Sequence, residues 1–317
     1  MLNPQLYISD IFQSLKIESK GVEYMRITML AENHKSDGKF KLKAEHGLSM
    51  LIELPNIKIL FDCGASGVFM ENAKTMGIDI QEIDLLILSH AHADHAGGLI
   101  KFFEENRKAK VIMSPYVKER YFFRIFGFPI DVSVPMEIFQ KFSERIIYIK
   151  EFTEILDDVF IIPEIKAHPY PLVKSNKKLL VKKNERYIED DFKHEIILAV
   201  KINSKLVIFT GCSHNGIDNM ILACRDYFPK VPISSVIGGF HLMGIPFKNM
   251  LGDSKVNIKA LGNRIKVMNI DKVYTCHCTG MKAFSILKKV MDNRLEYFNT
   301  GMQIEITENT LKEGKYK

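Results

Sequence analysis

The chain reads SHAHADHAGGL from Ser89 to Leu99, so four side chains able to bind a metal, His90, His92, Asp94 and His95, fall within six residues. Neutral imidazole and carboxylate together suit zinc, manganese or iron, and ligand softness alone does not choose among them. The segment follows directly on the apolar run Ile83 to Leu88, which reads as a strand. A strand that stops at Ser89 and feeds a tight loop aims His90 and His92 to the same side. Asp94 and His95 lie one step further on, where Ala96 to Asn106 reads as a helix. The two pairs can therefore face neighbouring positions.

Other short motifs carry residues of the same kind. They are LFDCG (Leu60 to Gly64), EHGLS (Glu45 to Ser49), TGCSHNGI (Thr210 to Ile217), IGGFHL (Ile237 to Leu242) and CHCTG (Cys276 to Gly280). The HxHxDH segment after a strand resembles the signature of the metallo-β-lactamase superfamily. The order of the remaining motifs is similar to its dihydropteroate-synthase-like branch of metal-dependent hydrolases, which includes ribofuranosylaminobenzene 5'-phosphate synthase-type proteins of methanopterin synthesis.

The resemblance implies an α/β fold, an αββα sandwich, holding two divalent ions, with zinc foremost and manganese or iron as alternatives. It assigns His90 and His92 to one ion and Asp94 and His95 to the other, with Asp62 orienting the ligands from below. Asp94 would also accept a proton from the attacking water. After Gly211, where the superfamily usually has Asp, stands Cys212: a thiolate ligand or an inert small residue. His214 is expected to complete the first ion and His277 the second. His241 is open between ligand, general acid and substrate contact, the last two favoured. Backbone N–H groups at Thr279, Gly280 and Met281 are expected to hold an anionic group. His46 is either a substrate contact or structural, and His34, His168 and His194, which lack a motif, are surface or structural.

Composition agrees with a single catalytic domain over residues 1–317, with insertions near 116–142 and 164–194. At 317 residues and 46% hydrophobic content the chain can bury a large core. The 44 basic against 38 acidic residues give +6, which suits a small anionic substrate and is too mild to point to nucleic acid. No apolar run approaches the roughly 20 residues that span a bilayer, and the N-terminus does not read as a signal peptide. Five cysteines without a CxxC pair favour reduced thiols in a cytoplasm. A homo-oligomer is compatible with all of this.

The elements that must position these residues alternate. Strands are expected at Tyr24 to Leu30, Leu48 to Leu54, Lys58 to Phe61, Ile83 to Leu88, Lys110 to Met113, Arg145 to Ile149, Ile196 to Ile202, Lys205 to Phe209, Lys272 to Thr275 and Gln303 to Ile306. Helical spacing marks Val68 to Met76, Ala96 to Asn106, Ile217 to Tyr227, Val256 to Met268 and Met281 to Asp292. Two segments interrupt the plan. The aromatic stretch Tyr116 to Phe142 reads as ordinary packing ahead of a substrate wall, and the basic stretch Lys174 to Arg186 as a solvated loop ahead of a lid for an anion. The function expected is a metal-dependent hydrolase, phosphoesterase-like, acting on a small phosphate-bearing substrate that is pterin-like or nucleotide-like. The alternatives are a synthase or transferase of pterin-type cofactor assembly, and a binding or sensing protein with a weakened metal site.

Overall fold

The computed structural model describes residues 22–38, 40–163, 165, 169–244, 250–307 and 311–315. The first sheet contains β1 (Tyr24–Ala31), β2 (Ser49–Leu54), β3 (Ile57–Phe61), β4 (Leu85–Ile87), β5 (Lys110–Met113), β8 (Ile146–Tyr148), β18 (Met302–Thr307) and β19 (Leu311–Lys315), in the order β19-β18-β1-β2-β3-β4-β5-β8. The second contains β9 (Thr153–Leu156), β10 (Val159–Ile162), β13 (Ile197–Ile202), β14 (Lys205–Phe209), β15 (Ile233–Gly238), β16 (Ile270–Thr275) and β17 (Leu295–Tyr297), in the order β17-β16-β15-β14-β13-β10-β9. A third, smaller sheet is built from β6 (Arg120–Ile125), β7 (Phe128–Asp131), β11 (Leu179–Lys183) and β12 (Arg186–Glu189), in the order β12-β11-β6-β7.

The two large sheets face each other. Ile27, Ile52, Ile59 and Leu85 of the first share one core with Leu198, Val207 and Ile237 of the second. On the outer face of the first sheet lie α1 (Val68–Thr75), α2 (Ala93–Ala96), α3 (Leu99–Glu105) and α4 (Ile138–Lys141), which bury Phe69, Phe102, Phe103 and Ile138 against Leu51, Leu60 and Leu86. On the outer face of the second lie α5 (Ile217–Tyr227), α6 (Lys255–Val267) and α7 (Met281–Met291). The helix α7 buries Ala283, Leu287 and Met291, four residues apart and so on one face. Covered on both faces, the central strands are apolar almost without interruption: five of six residues are buried in each of β2 and β13. The result is the αββα sandwich.

Parallel pairing fixes where the motifs meet. β3 and β4 run parallel with Phe61 opposite Ile87, so Asp62 and Ser89 emerge at the same rim. β14, β15 and β16 are parallel too, with Phe209 opposite Ile237 and Gly238 opposite Thr275, which brings Thr210, Gly239 and Cys276 to one edge. The carboxyl ends of parallel strands are where α/β sheets carry their ligands.

Three features differ from the sequence expectation. The helix expected from Ala96 begins earlier, at Ala93, and breaks after Ala96, so Asp94 and His95 lie inside a helical turn of their own. The two segments read as interruptions pair with each other: β6 lies antiparallel to β11, with Tyr121 opposite Val181. The basic stretch is therefore largely a short 3-10 turn and a strand, not a loop. No helix among the described residues is long and apolar enough to cross a membrane.

Candidate metal centre

Five histidines meet where the rims of the two large sheets converge, and each has one ring nitrogen directed outward. Ser89 Oγ donates to Asp62 Oδ2 (2.6 Å), so it accepts from His90 Nδ1 at 2.8 Å. His95 Nδ1 donates to Asp62 Oδ2 at 2.6 Å and His277 Nδ1 to Asn33 Oδ1 at 2.8 Å. His214 Nδ1 faces Asn176 Oδ1 at 3.5 Å, and His92 Nε2 lies 3.8 Å from Asp190 Oδ2. In the neutral rings the partners of His90, His95, His277 and His214 fix the tautomer and leave the second nitrogen as a lone pair, whereas His92 Nε2 is beyond hydrogen-bond reach of Asp190 and has only its charge nearby.

The second nitrogens converge. His92 Nδ1 lies 3.1 Å from His214 Nε2, and His95 Nε2 lies 3.2 Å from His277 Nε2 and 3.1 Å from Cys212 Sγ. Asp94 Oδ2 is 3.2 Å from His277 Nε2. His90 Nε2 is buried with no hydrogen-bond partner. With neutral rings the Cys212 thiol is the donor among several lone pairs that face one another, an arrangement costly in a buried site unless extra protons or a cation occupy it. The ligand atoms of Asp94, His95, Cys212 and His277 all lie within 4.8 Å of one another, as do those of His90, Cys212 and His214. The residues therefore fit the divalent metal that the fold implies, and Cys212 stands between both groups, where the sequence left open a ligand or an inert residue.

The electrostatics match. Burial and the surrounding imidazoles hold His90 and His214 well below the usual histidine range, so both are neutral and able to ligate. Burial opposes charge on His95, but Asp62 and Asp94 outweigh it and raise His95 to about 9. Positive charge is thus favoured at the position a cation would take. Burial would raise the Asp94 carboxyl, yet His95, His277 and His46 hold it well below the ordinary carboxylate range.

Local geometry explains the motif spellings. A Cβ at Gly211 would lie 2.1 Å from Ser89 Oγ and 2.8 Å from His90 Nδ1, so only glycine lets the TGCSH loop close on the first motif. Asp62, Ser213, His241 and His277 all have positive φ, between 46° and 59°. Strained backbone of this kind gathers at functional sites, where the surrounding structure holds it in place.

The centre opens into a cavity of about 380 Å³ lined by His46, His92, Asp94, Cys212, His214, His241 and Cys278 on one side and by Phe123, Ile125, Ile130, Val132 and Leu179 on the other. The apolar wall comes from the third sheet and the segment after it. Part of the aromatic stretch thus lines the cavity, while Tyr121 packs on His194 with ring centroids 4.2 Å apart, and Phe126 and Phe128 are exposed.

Two expectations are corrected. Thr279 and Gly280 do not line the cavity: their N–H groups bond to Cys276 O and His277 O, and Thr279 Oγ1 accepts the Phe240 N–H at 2.9 Å. They close a turn and offer no anion cradle. No lysine of the basic stretch lines the cavity either. Lys182 pairs with Glu185, Lys183 with Glu119 and Asp191, and Lys178 donates to Gly244 O.

Several residues that position the centre escaped the sequence reading. Asn33 holds His277 through Oδ1 and His46 through Nδ2 (3.2 Å), which leaves His46 Nε2–H facing Asp94 Oδ2 at 3.5 Å. Glu32 accepts the His277 N–H, and Glu195 accepts those of His214 and Asn215. His194, fully buried, accepts the Ala91 N–H at 3.0 Å and contacts Asp190 at 3.0 Å, so it is structural and not a surface residue. His34 is exposed, and His168 lies outside the described residues. The available signal was a polar pair abutting an apolar strand: Glu32 and Asn33 follow β1, and His194 and Glu195 precede β13.

Residues 42–169 match the metallo-beta-lactamase superfamily, so a domain of that superfamily lies in this chain, and the chain has its fold. It is 28% identical over 299 residues, 90% of this chain and 97% of the relative, to the 7,8-dihydropterin-6-methyl-4-(beta-D-ribofuranosyl)-aminobenzene-5'-phosphate synthase of Methanocaldococcus jannaschii. A solved metal-dependent hydrolase of the beta-lactamase superfamily is 27% identical, with a TM-score of 0.72 covering 89% of this chain and 99% of that one. A metallo-beta-lactamase fold protein from Bacillus subtilis, 13% identical with a TM-score of 0.52 over 92% of this chain and all of its own (100%), shares the fold.

Proposed function

We propose that the chain is a metal-dependent hydrolase of small phosphate-bearing substrates, holding two divalent ions, zinc foremost. The observation that supports this best is the convergence of donor atoms in two groups at the floor of a cavity. His90, His92 and His214 would hold one ion and Asp94, His95 and His277 the other, with Cys212 reaching both. Two such ions acidify water and neutralise the charge that develops on the displaced oxygen.

The chain's own residues supply orientation and proton handling. Asp94, its side chain 25% exposed toward the cavity, presents Oδ2 between His46 and His277. Burial and the neighbouring His277 push His46 down to about 4, so it is neutral at pH 7 and faces Asp94 Oδ2 at 3.5 Å. His277, 3.2 Å away, orients the carboxylate, which would accept the proton of the attacking water. Phe123, Ile125, Ile130 and Leu179 exclude water and seat the apolar body of the substrate. With no lysine or arginine in the lining, recognition of an anionic group falls to the metal centre.

The relationship to the Methanocaldococcus synthase supports a second reading, a synthase of pterin-type cofactor assembly, and the apolar wall suits a flat ring equally well. A phosphoesterase assay with zinc or manganese added, run beside a pterin condensation assay read by product mass, separates the two. Turnover of phosphoester substrates supports the hydrolase, condensation without hydrolysis supports the synthase, and ligand affinity without either product would leave a binding protein.

A further inference from the structure

Cys278 and His241 lie at the centre without a part in either group of ligands described so far. With Cys212 they form a third group, whose two sulfurs and one ring nitrogen lie within 4.8 Å of one another. All three residues face the cavity. Both ring nitrogens of His241 are buried and have no hydrogen-bond partner. A buried imidazole with so little to bond is costly unless a ligand entering from the cavity satisfies it. The backbone is committed to the arrangement as well. His241 has φ +46°, and its N–H donates to Cys278 Sγ at 3.2 Å. A Cβ at Gly239 would lie 2.5 Å from the same sulfur, so the IGGFHL loop is spelled to seat on it.

We propose that Cys212, Cys278 and His241 hold a third divalent cation, of thiophilic character, at the cavity side of the centre. It rests on the reading of the centre as metal-binding. Two thiolates and an imidazole favour zinc or iron over magnesium or calcium. Donors this close come within reach of one ion at about 2.3 Å from sulfur and about 2.0–2.1 Å from nitrogen once the side chains turn toward it. Three protein ligands leave the fourth position open to the cavity. Binding releases the protons of the two thiols to solvent, and sulfur undergoes no change of oxidation state. His241 is then a ligand and does not act as the general acid.

The test uses the full chain, stripped with a chelator and loaded with cobalt(II) or cadmium(II). Metal content is read by elemental analysis and thiolate ligation by the near-ultraviolet sulfur-to-cobalt absorption. The wild type should bind one equivalent more than either Cys278→Ser or His241→Ala. The sulfur-to-cobalt absorption should fall in Cys278→Ser, since the ion lost takes with it the bonds of Cys278 and Cys212 at that position, leaving only the absorption from Cys212 at the other two. Cys224→Ser, a buried thiol of α5 away from the cavity, should change neither. Wild-type stoichiometry with full absorption in Cys278→Ser overturns the proposal. If that variant does not fold, His241→Ala decides alone: loss of one equivalent supports the third position and retention overturns it. His92→Ala separates the two readings. If it loses an equivalent while His241→Ala does not, only the third position falls, and if neither loses any, the metal-binding reading falls with it.

Discussion

Asp62 is the residue through which the centre is most sharply tested. Its carboxylate, fully buried, accepts the Ser89 N–H at 2.7 Å, the Ser89 hydroxyl at 2.6 Å and His95 Nδ1 at 2.6 Å. Asp62→Asn keeps the shape and removes the charge. One amide oxygen can still accept the Ser89 N–H, but the NH₂ then points at two donors. The least costly response is for His95 to move its proton from Nδ1 to Nε2, the nitrogen that faces Cys212 and His277. The lone pair needed by a cation is lost, and the carboxylate that helped raise His95 to about 9 is gone. Loss of an outer partner of this kind weakens metal binding by about 10- to 100-fold, equivalent to about 1.4–2.8 kcal/mol. A chelator competition with the folded variant, its melting temperature recorded alongside, measures this directly. Unchanged affinity at the ion held by Asp94, His95 and His277 would refute the claim that Asp62 sets the His95 tautomer.

Other outcomes follow from the same geometry. His92→Ala should lose metal and any hydrolysis together, whereas His168→Ala should change neither, as elemental analysis and turnover would show. Phe123→Asp should raise KM by about 10- to 100-fold, the worth of a phenyl group that substrate would cover in the cavity, with metal content unchanged. Replacing Lys177, Lys178, Lys182 and Lys183 with Gln should leave KM for a phosphorylated substrate and its salt dependence as they were, because none of the four lines the cavity. Metal affinity should rise by at least about tenfold per pH unit below about 9, since His95 must lose a proton to bind, and more steeply where a thiol that ligates must lose one too. In the metal-free protein the raised His95 contributes stability that is complete below its ordinary 6.5 and lost as pH rises through about 9, which thermal melts across that window would record.

The sandwich and the core of the centre were legible because their signals are local. Ten strands lay within short apolar runs, and the dense SHAHADH segment announced its chemistry within a few residues. What escaped was non-local. Asp190 and His194 reach His92 only because the segment before β13 folds back across the chain, with His194 bonding to Ala91 over a separation of 103. The third sheet was hidden because β12 is exposed at all four positions and β6 alternates only in part, leaving no clean period to read. Thr279 and Gly280 were misread for a different reason. A glycine before a helix suggests open N–H groups, but the 3-10 turn at His277 had already used them.

The coordinating atoms are divided between the halves of the sandwich. His90, His92, Asp94 and His95 follow a strand of the first sheet, and Cys212 and His277 follow strands of the second. Neither half owns a complete set. A cation held by the full set would need the two sheets to have met first, and would then act as a rivet through the layers. The chain's return from β17 to β18, from the second sheet back to the first, ties the same two layers covalently at the very rim that carries the centre, where Tyr297 and Thr300 meet the Glu32 that holds the His277 N–H. Starved of metal, the protein would keep its architecture through that tie and its shared core, but the motif loops away from it would be free to breathe, and proteases would find the unloaded form there.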